Sequence, residues 1–189
     1  MLSAIRCFSC TAALIGALAA GPATANAPAP PANPQVDYAG FAVLVGDLAP
    51  VREAHRLGWA EFARAARAQG ALLLDARSPA AFARGHIAGA VNLPFSDFTD
   101  DALRAVIGDD PDRPIFIYCN NNFSDNAWPV VTKRVELALN IPTFINLHGY
   151  GYANVWELAD VVSTRELGAD WVRDGGTAQG PAQGPAQGA

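Results

Sequence analysis

Short uninterrupted apolar runs alternate along the chain with stretches in which apolar residues recur every three or four positions. Ala71–Ala76, Ile115–Cys119 and Thr143–Leu147 are the runs. Each is bounded by turn residues and predicts a strand buried on both faces. Val91–Pro94 adds a shorter strand that its proline closes. The helical spacings lie between them: Trp59–Ala68 with Phe62 and Ala66 on one face, Asp100–Ile107 with Leu103, Val106 and Ile107, and Ala127–Leu139 with Pro129 in its first turn. Strands alternating with helices predict an α/β fold around a parallel sheet. Such a sheet carries its functional loops at the carboxyl ends of its strands, which here follow Ala76, Cys119 and Leu147.

The ends of the chain have a different texture. A single early arginine (Arg6), an apolar stretch from Cys7 to Ala20 and the small-residue pattern Ala23-Thr24-Ala25 predict a cleaved secretory signal over 1–25. The stretch is shorter than the ~20 residues a spanning helix needs, so no membrane span is expected after cleavage. Residues 26–36 are rich in Pro and Ala and read as an extended linker. Residues 175–189 repeat Ala-Gln-Gly and read as a disordered tail. The folded domain is then expected over 37–174, roughly 138 residues and on the scale of one domain. Export places the mature protein in a periplasm or outside the cell.

Composition narrows the partners. The 189 residues carry 18 Asp and Glu against 13 Lys and Arg, and Lys133 is the sole lysine. No dense basic surface is available to neutralise phosphates, so nucleic acid is not an expected partner. Removing 1–25 also removes Cys7 and Cys10 and leaves Cys119 alone, in a compartment where structural cysteines normally pair. Three scattered histidines and one cysteine make no zinc set, and the acidic positions Asp97, Asp100, Asp101, Asp109, Asp110 and Asp112 lack calcium-loop spacing. Helix capping at Thr99 or Asp100 and a turn before Pro111 explain most of those acids.

Cys119 ends a strand and begins the loop Asn120-Asn121-Asn122-Phe123-Ser124-Asp125. In that position backbone N–H groups and a following helix N-terminus converge on the sulfur and are expected to lower its pKa from the free value of about 8.5. The same residues also describe an ordinary strand-to-helix turn with a buried cysteine at its edge. A cysteine phosphatase would need arginine six positions on, where Asp125 stands, and a dithiol redox site would need a second cysteine.

Three motifs resemble the rhodanese-like, or sulfurtransferase, family. Leu74-Asp75-Ala76-Arg77 followed by Gly85-His86-Ile87-Ala88-Gly89-Ala90-Val91-Asn92 is similar to its Asp-x-Arg strand end and its Gly-His-Ile-x-Gly-Ala-x-Asn signature. Ile115-Phe116-Ile117-Tyr118-Cys119 is similar to the strand bearing its active cysteine, and His148-Gly149-Tyr150-Gly151 with Trp156 to its Gly-rich turn and Trp-bearing helix. The resemblance implies a five-stranded, mostly parallel sheet flanked by helices on both faces, with no metal or organic cofactor. It further implies that Cys119 carries sulfane sulfur as a persulfide, the amides of Asn120, Asn121, Asn122, Phe123 and Ser124 forming an anion cradle.

Around that cysteine, Asp75 and Arg77 are candidates to orient the loop or to form a structural ion pair, and His148 is a candidate wall of the pocket. His86 is expected to pin a turn. The loop itself carries no base, which weighs against thiosulfate as donor and towards a polysulfide or protein persulfide. Tyr38–Arg52 lies outside the resemblance and is expected to pack on the domain. Two functions fit these residues. One is an exported sulfurtransferase passing sulfur from a small donor to a thiol or a cyanide-like acceptor. The other is a non-catalytic rhodanese-like module binding an envelope protein.

Overall fold

The computed structural model of the chain describes residues 33–125 and 131–173. The expected signal over 1–25, residues 26–32 of the expected linker, the tail over 175–189 and the start of the helix expected over 127–139 lie outside the described residues. Residues 33–36 hold a turn in which the Val36 N–H donates to the Asn33 carbonyl at 3.2 Å.

From Asp37 onward the elements are α1 (Tyr38–Ala54), β1 (Arg56–Leu57), α2 (Trp59–Ala66), β2 (Leu72–Asp75), α3 (Pro79–Arg84), β3 (His86–Ile87), β4 (Val91–Asn92), α4 (Asp100–Ile107), β5 (Ile115–Tyr118), α5 (Asn140–Gly149), β6 (Val155–Leu158) and β7 (Trp171–Val172). Five strands form one sheet in the order β1-β6-β5-β2-β4, and every pairing in it is parallel. β3 and β7 pair antiparallel in a separate ribbon. The architecture is the expected α/β one, with the main sheet wholly rather than mostly parallel.

All four residues of β2 and of β5 are buried, as a sheet covered on both sides requires. Leu72, Leu74, Ile115, Ile117 and Val155 face α1, α4 and α5 through Leu48, Val51, Leu103, Ile107, Phe144 and Leu147. Leu73, Phe116, Tyr118 and Leu158 face α2 and the ribbon through Phe62, Ile87 and Trp171. Thr99 caps α4, accepting from the Ala102 N–H at 3.2 Å. Tyr38–Arg52 falls in α1, which contacts α5 as the packing reading required.

Two elements differ from the expectation. Thr143–Leu147 is the body of α5, not a strand. Its buried residues Asn140, Thr143, Phe144 and Leu147 recur at helical spacing, and Pro142 sits in the first turn, where the missing N–H is not needed. The strand is instead Val155–Leu158, so Trp156 lies in β6 and not in a helix. A buried glutamate, Glu157, interrupts its apolar run and hid it. Over 131–139 the described residues form a single 3-10 turn, Val135–Leu137, in place of the expected helix.

Gly85 precedes the ribbon under the ring of Trp171. A Cβ on Gly85 would stand 2.5 Å from Trp171 Cζ2, so this position tolerates no side chain. Trp171 in turn packs edge-on against Phe123, with ring centroids 4.8 Å apart. Gly85→Ala is expected to lower stability by about 1–3 kcal/mol by overpacking this contact. Thermal or urea unfolding would measure it, and a melting curve unchanged from the parent would contradict the account.

Candidate active site

The carboxyl end of β2 carries a buried ion pair. Asp75 is fully buried, and Arg77, two residues on, folds back onto it, with Nε at 2.9 and 3.0 Å and Nη2 at 2.5 Å from its oxygens. The remaining Arg77 donors go to the Gly85 carbonyl at 2.7 Å and to Asn120 Oδ1 at 2.9 Å. The Tyr118 hydroxyl donates to Asp75 at 2.6 Å and accepts from the Ile87 N–H at 3.1 Å. Burial first, then the Asp75 charge, pushes the Tyr118 hydroxyl well up, so it stays a protonated donor. Asn92 closes the same corner by donating to the Asp75 and Arg77 carbonyls at 2.8 and 2.9 Å. The pair thus ties the end of β2 to Gly85 and, through Asn120, to the cysteine loop.

The loop after Cys119 is one 3-10 turn, Asn120–Asn122. Its three asparagines have separate tasks. Asn120 Nδ2 donates to the Val131 carbonyl at 2.9 Å. Asn121 exchanges two bonds with the backbone of Lys133, at 2.8 and 3.0 Å. Asn122 Oδ1 accepts from the Cys119 N–H at 3.0 Å and from Asn140 Nδ2 at 2.9 Å, while its Nδ2 donates to the Leu158 and Asp160 carbonyls at 2.8 and 3.0 Å. Asn122 thereby joins the cysteine loop, α5 and the end of β6.

Cys119 is 1 % exposed and lines a pocket of about 310 Å³. Ala76, Arg77, Ser78, Ala81, Pro94, Phe95, Ser96, Asn120, Asn121, Lys133 and Leu139 line the rest of it. Backbone N–H groups of Asn121, Asn140 and Leu139 favour the anion of the thiol, and the Asn122 N–H caps the Cys119 side chain. Of the expected loop amides, Asn121 and Asn122 thus face the sulfur, and Leu139, the N-cap of α5, and Asn140, its first residue, add to them. The Phe123 N–H donates to the Asn120 carbonyl and the Ser124 N–H to the Val162 carbonyl, so both serve the fold. Phe123 itself is buried in the core against Tyr118 and Trp171.

The expected low thiol pKa is corrected. Burial pushes the Cys119 thiol up, and the amides pull it only part of the way back, while the Glu157 carboxylate adds to the rise. His148 also stands elsewhere than expected. It lies in the last turn of α5 with its ring 4.5 Å from Phe144, outside the pocket lining. Burial, and then the neighbouring His55, push its pKa down. His86 pins its turn, Nδ1 lying 2.9 Å from the Phe82 carbonyl and the ring stacking on Phe82 at 3.7 Å.

Sequence reasoning missed Lys133, Leu139, Asn140 and Glu157. Lys133 brings a positive charge to a pocket whose loop has none. Its being the sole lysine, twelve residues from the loop's asparagines, was the one signal available. Asp125 is held away by Thr164 and Ser124, whose hydroxyls donate to its carboxylate, at 2.5 Å for Thr164. Among the described residues, no group of three or more His, Cys, Asp or Glu side chains is placed to hold a metal, and no helix is long and apolar enough to cross a membrane.

The rhodanese-like domain model matches residues 59–160, more than half of the chain. The protein belongs to the rhodanese-like domain family. Similar solved structures include a Rhodanese_3-like domain of the Alr3790 protein from Anabaena sp., 19 % identical over 58 % of this chain and 98 % of that one, with a TM-score of 0.38. A solution structure of the rhodanese-like domain of Alr3790 is 19 % identical over 71 % of this chain and 90 % of that one, with a TM-score of 0.43. The BH2092 protein of Bacillus halodurans is 15 % identical over 65 % of this chain and 77 % of that one, with a TM-score of 0.40. No curated protein matches the chain.

Two outcomes follow from this geometry. Asp75→Asn leaves the Arg77 guanidinium buried without its counter-charge and is expected to cost about 3–5 kcal/mol, read by urea unfolding. Alkylation of Cys119 by iodoacetamide, followed on the peptide that contains it, is expected to rise with pH to a midpoint above the ordinary thiol value of about 8.5. A midpoint below that value would refute the dominance of burial over the amides.

Proposed function

We propose that the protein is a sulfurtransferase that carries sulfane sulfur on Cys119, and that it works outside the cytoplasm. The observation that supports this most is the place of Cys119, in the lining of a pocket and with the backbone N–H groups of Asn121, Asn122, Leu139 and Asn140 around its side chain. That arrangement stabilises a persulfide anion as it does a thiolate. The Cys119 thiolate attacks the outer sulfur of a donor, forming a new S–S bond as the donor's S–S bond breaks. The electron pair leaves on the donor remnant, which is sulfite when the donor is thiosulfate. An acceptor thiolate or cyanide then attacks the terminal sulfur of the Cys119 persulfide, forming its own bond to that atom and returning the thiolate of Cys119.

Lys133 changes the donor argument. The loop has no base, yet the pocket has two cations, of which Arg77 is already neutralised by Asp75. Lys133 is the uncompensated one among the described residues that line it. An anionic donor is therefore accommodated, with the apolar side chains of Phe95, Pro94 and Leu139 around it. The proposal of export rests on 1–25, and it fits a mature chain whose single cysteine has no partner for an internal disulfide.

The test is intact-mass analysis of the full chain after incubation with thiosulfate or with polysulfide, using Cys119→Ser to subtract any reaction at Cys7 and Cys10. One added sulfur that depends on Cys119 and is removed by cyanide is the expected result. Lys133→Gln is expected to slow loading from thiosulfate roughly tenfold, and loading from a neutral organic trisulfide little. If neither thiosulfate nor polysulfide adds sulfur while Cys119 still alkylates, the catalytic reading fails and the non-catalytic binding module takes its place.

A further inference from the structure

A carboxylate buried close to a nucleophilic sulfur needs an explanation, because its charge opposes the thiolate on which the sulfur's reactivity depends. Glu157 is such a group. Its side chain is 5 % exposed on β6, between β1 and β5, and its charge acts on Cys119 in the unfavourable direction. The carboxylate is clamped by Arg52 of α1, Nε and Nη2 each donating at 2.6 Å to a separate oxygen. This bidentate pair is the strongest form such a contact takes.

The pair does not end at Glu157. Asn140 Nδ2 donates to Glu157 Oε1 at 3.3 Å and to Asn122 Oδ1 at 2.9 Å, and Asn122 Oδ1 also receives the Cys119 N–H at 3.0 Å. Both partners of Asn140 Nδ2 are acceptors, which fixes the orientation of that amide. The backbone N–H of the same Asn140 is one of those directed at the sulfur. A continuous set of contacts thus runs from α1 through β6 and the start of α5 to the cysteine.

We propose that Arg52, from a helix that precedes residues 59–160, is a positioning residue for Cys119: it neutralises the buried Glu157 carboxylate and holds the Asn140 end of α5 against the sulfur. The proposal rests on the reading of Cys119 as the reacting group. It gives the helix added before the family match a role in the chemistry beyond covering the sheet. The other charges nearby are already engaged. Arg56, the cross-strand neighbour of Glu157, points to Glu53 at 3.1 Å, and Glu53 also lies 3.5 Å from Arg52. His55 stacks on Trp156 at 4.4 Å with Nδ1 3.0 Å from the Val155 carbonyl, and His148 neighbours it. On the pocket side Arg77 is held by Asp75 beside the Tyr118 hydroxyl, which leaves Lys133 as a constant contribution in every variant below.

The experiment is the pH profile of Cys119 alkylation in the full chain, read on the Cys119 peptide, for Arg52→Gln, Glu157→Gln, the double variant and Arg52→Lys. Arg52→Gln is expected to move the midpoint up by about half a pH unit or more, and Glu157→Gln to move it down by a similar amount. The double variant returns close to the parent, and Arg52→Lys stays nearer the parent than Arg52→Gln does. A structural role alone predicts lost stability without these opposed shifts. If Arg52→Gln fails to fold, Glu157→Gln and the double variant carry the same sign test. Midpoints within about 0.2 pH unit of the parent in all folded variants would overturn the proposal. Persulfide loading is measured separately, so opposed shifts in a protein that loads no sulfur would refute the transferase reading and leave the coupling of Arg52 to Cys119 intact.

Discussion

The salt bridge between Asp75 and Arg77 is the contact on which the arrangement of this domain turns. A carboxylate with no exposed surface is tolerable only when its charge and its lone pairs are met. Here they are met by a guanidinium, the Arg77 N–H and the Tyr118 hydroxyl. Each partner then uses its spare capacity on a different part of the chain: the guanidinium on Gly85 and Asn120, the hydroxyl on Ile87. One buried pair thus fixes the end of β2, the ribbon that begins at His86 and the loop that follows Cys119. The pair is weak as a source of net stability but strong as a specification of geometry, since its partners tie those three segments together.

The cysteine shows the opposite balance. Converging amides and the start of α5 favour a negative sulfur, yet the sulfur is withdrawn from water and shares its surroundings with a carboxylate. Burial wins for the resting thiol. Under the sulfurtransferase reading proposed above this has a use, because a persulfide extends the nucleophile by one atom beyond the buried cysteine, which lines the same pocket as Arg77 and Lys133. Under that reading the enclosure that handicaps the thiol would also keep a carried sulfur from stray thiols in bulk water.

Much of this was legible in the sequence. The runs Ala71–Ala76 and Ile115–Cys119 announced a parallel sheet, the spacing of Leu103 and Ile107 announced α4, and the residues from Leu74 to Asn92 carried the family resemblance. What failed did so for identifiable reasons. Thr143–Leu147 is apolar enough to pass for a strand because that face of α5 is buried, while β6 was concealed by Glu157, a charged residue paired across 105 positions of sequence with Arg52. Local pattern cannot reveal a counter-charge that far away. The same limit hid Lys133 and Asn140, which reach the cysteine only because the chain returns over its own loop.

That return is secured in an uncommon way. Asn120 and Asn121 grip residues 131–133 through main-chain carbonyls and an N–H alone, using side-chain amides as though they were a neighbouring strand. Because the grip on Lys133 reads its backbone, it does not depend on the side chain that position 133 carries. That side chain, which lines the pocket, can therefore change in charge or bulk while the grip on the loop beneath is kept. Under the sulfurtransferase reading proposed above, a domain built so could exchange one sulfur donor for another over evolutionary time without rebuilding the loop below.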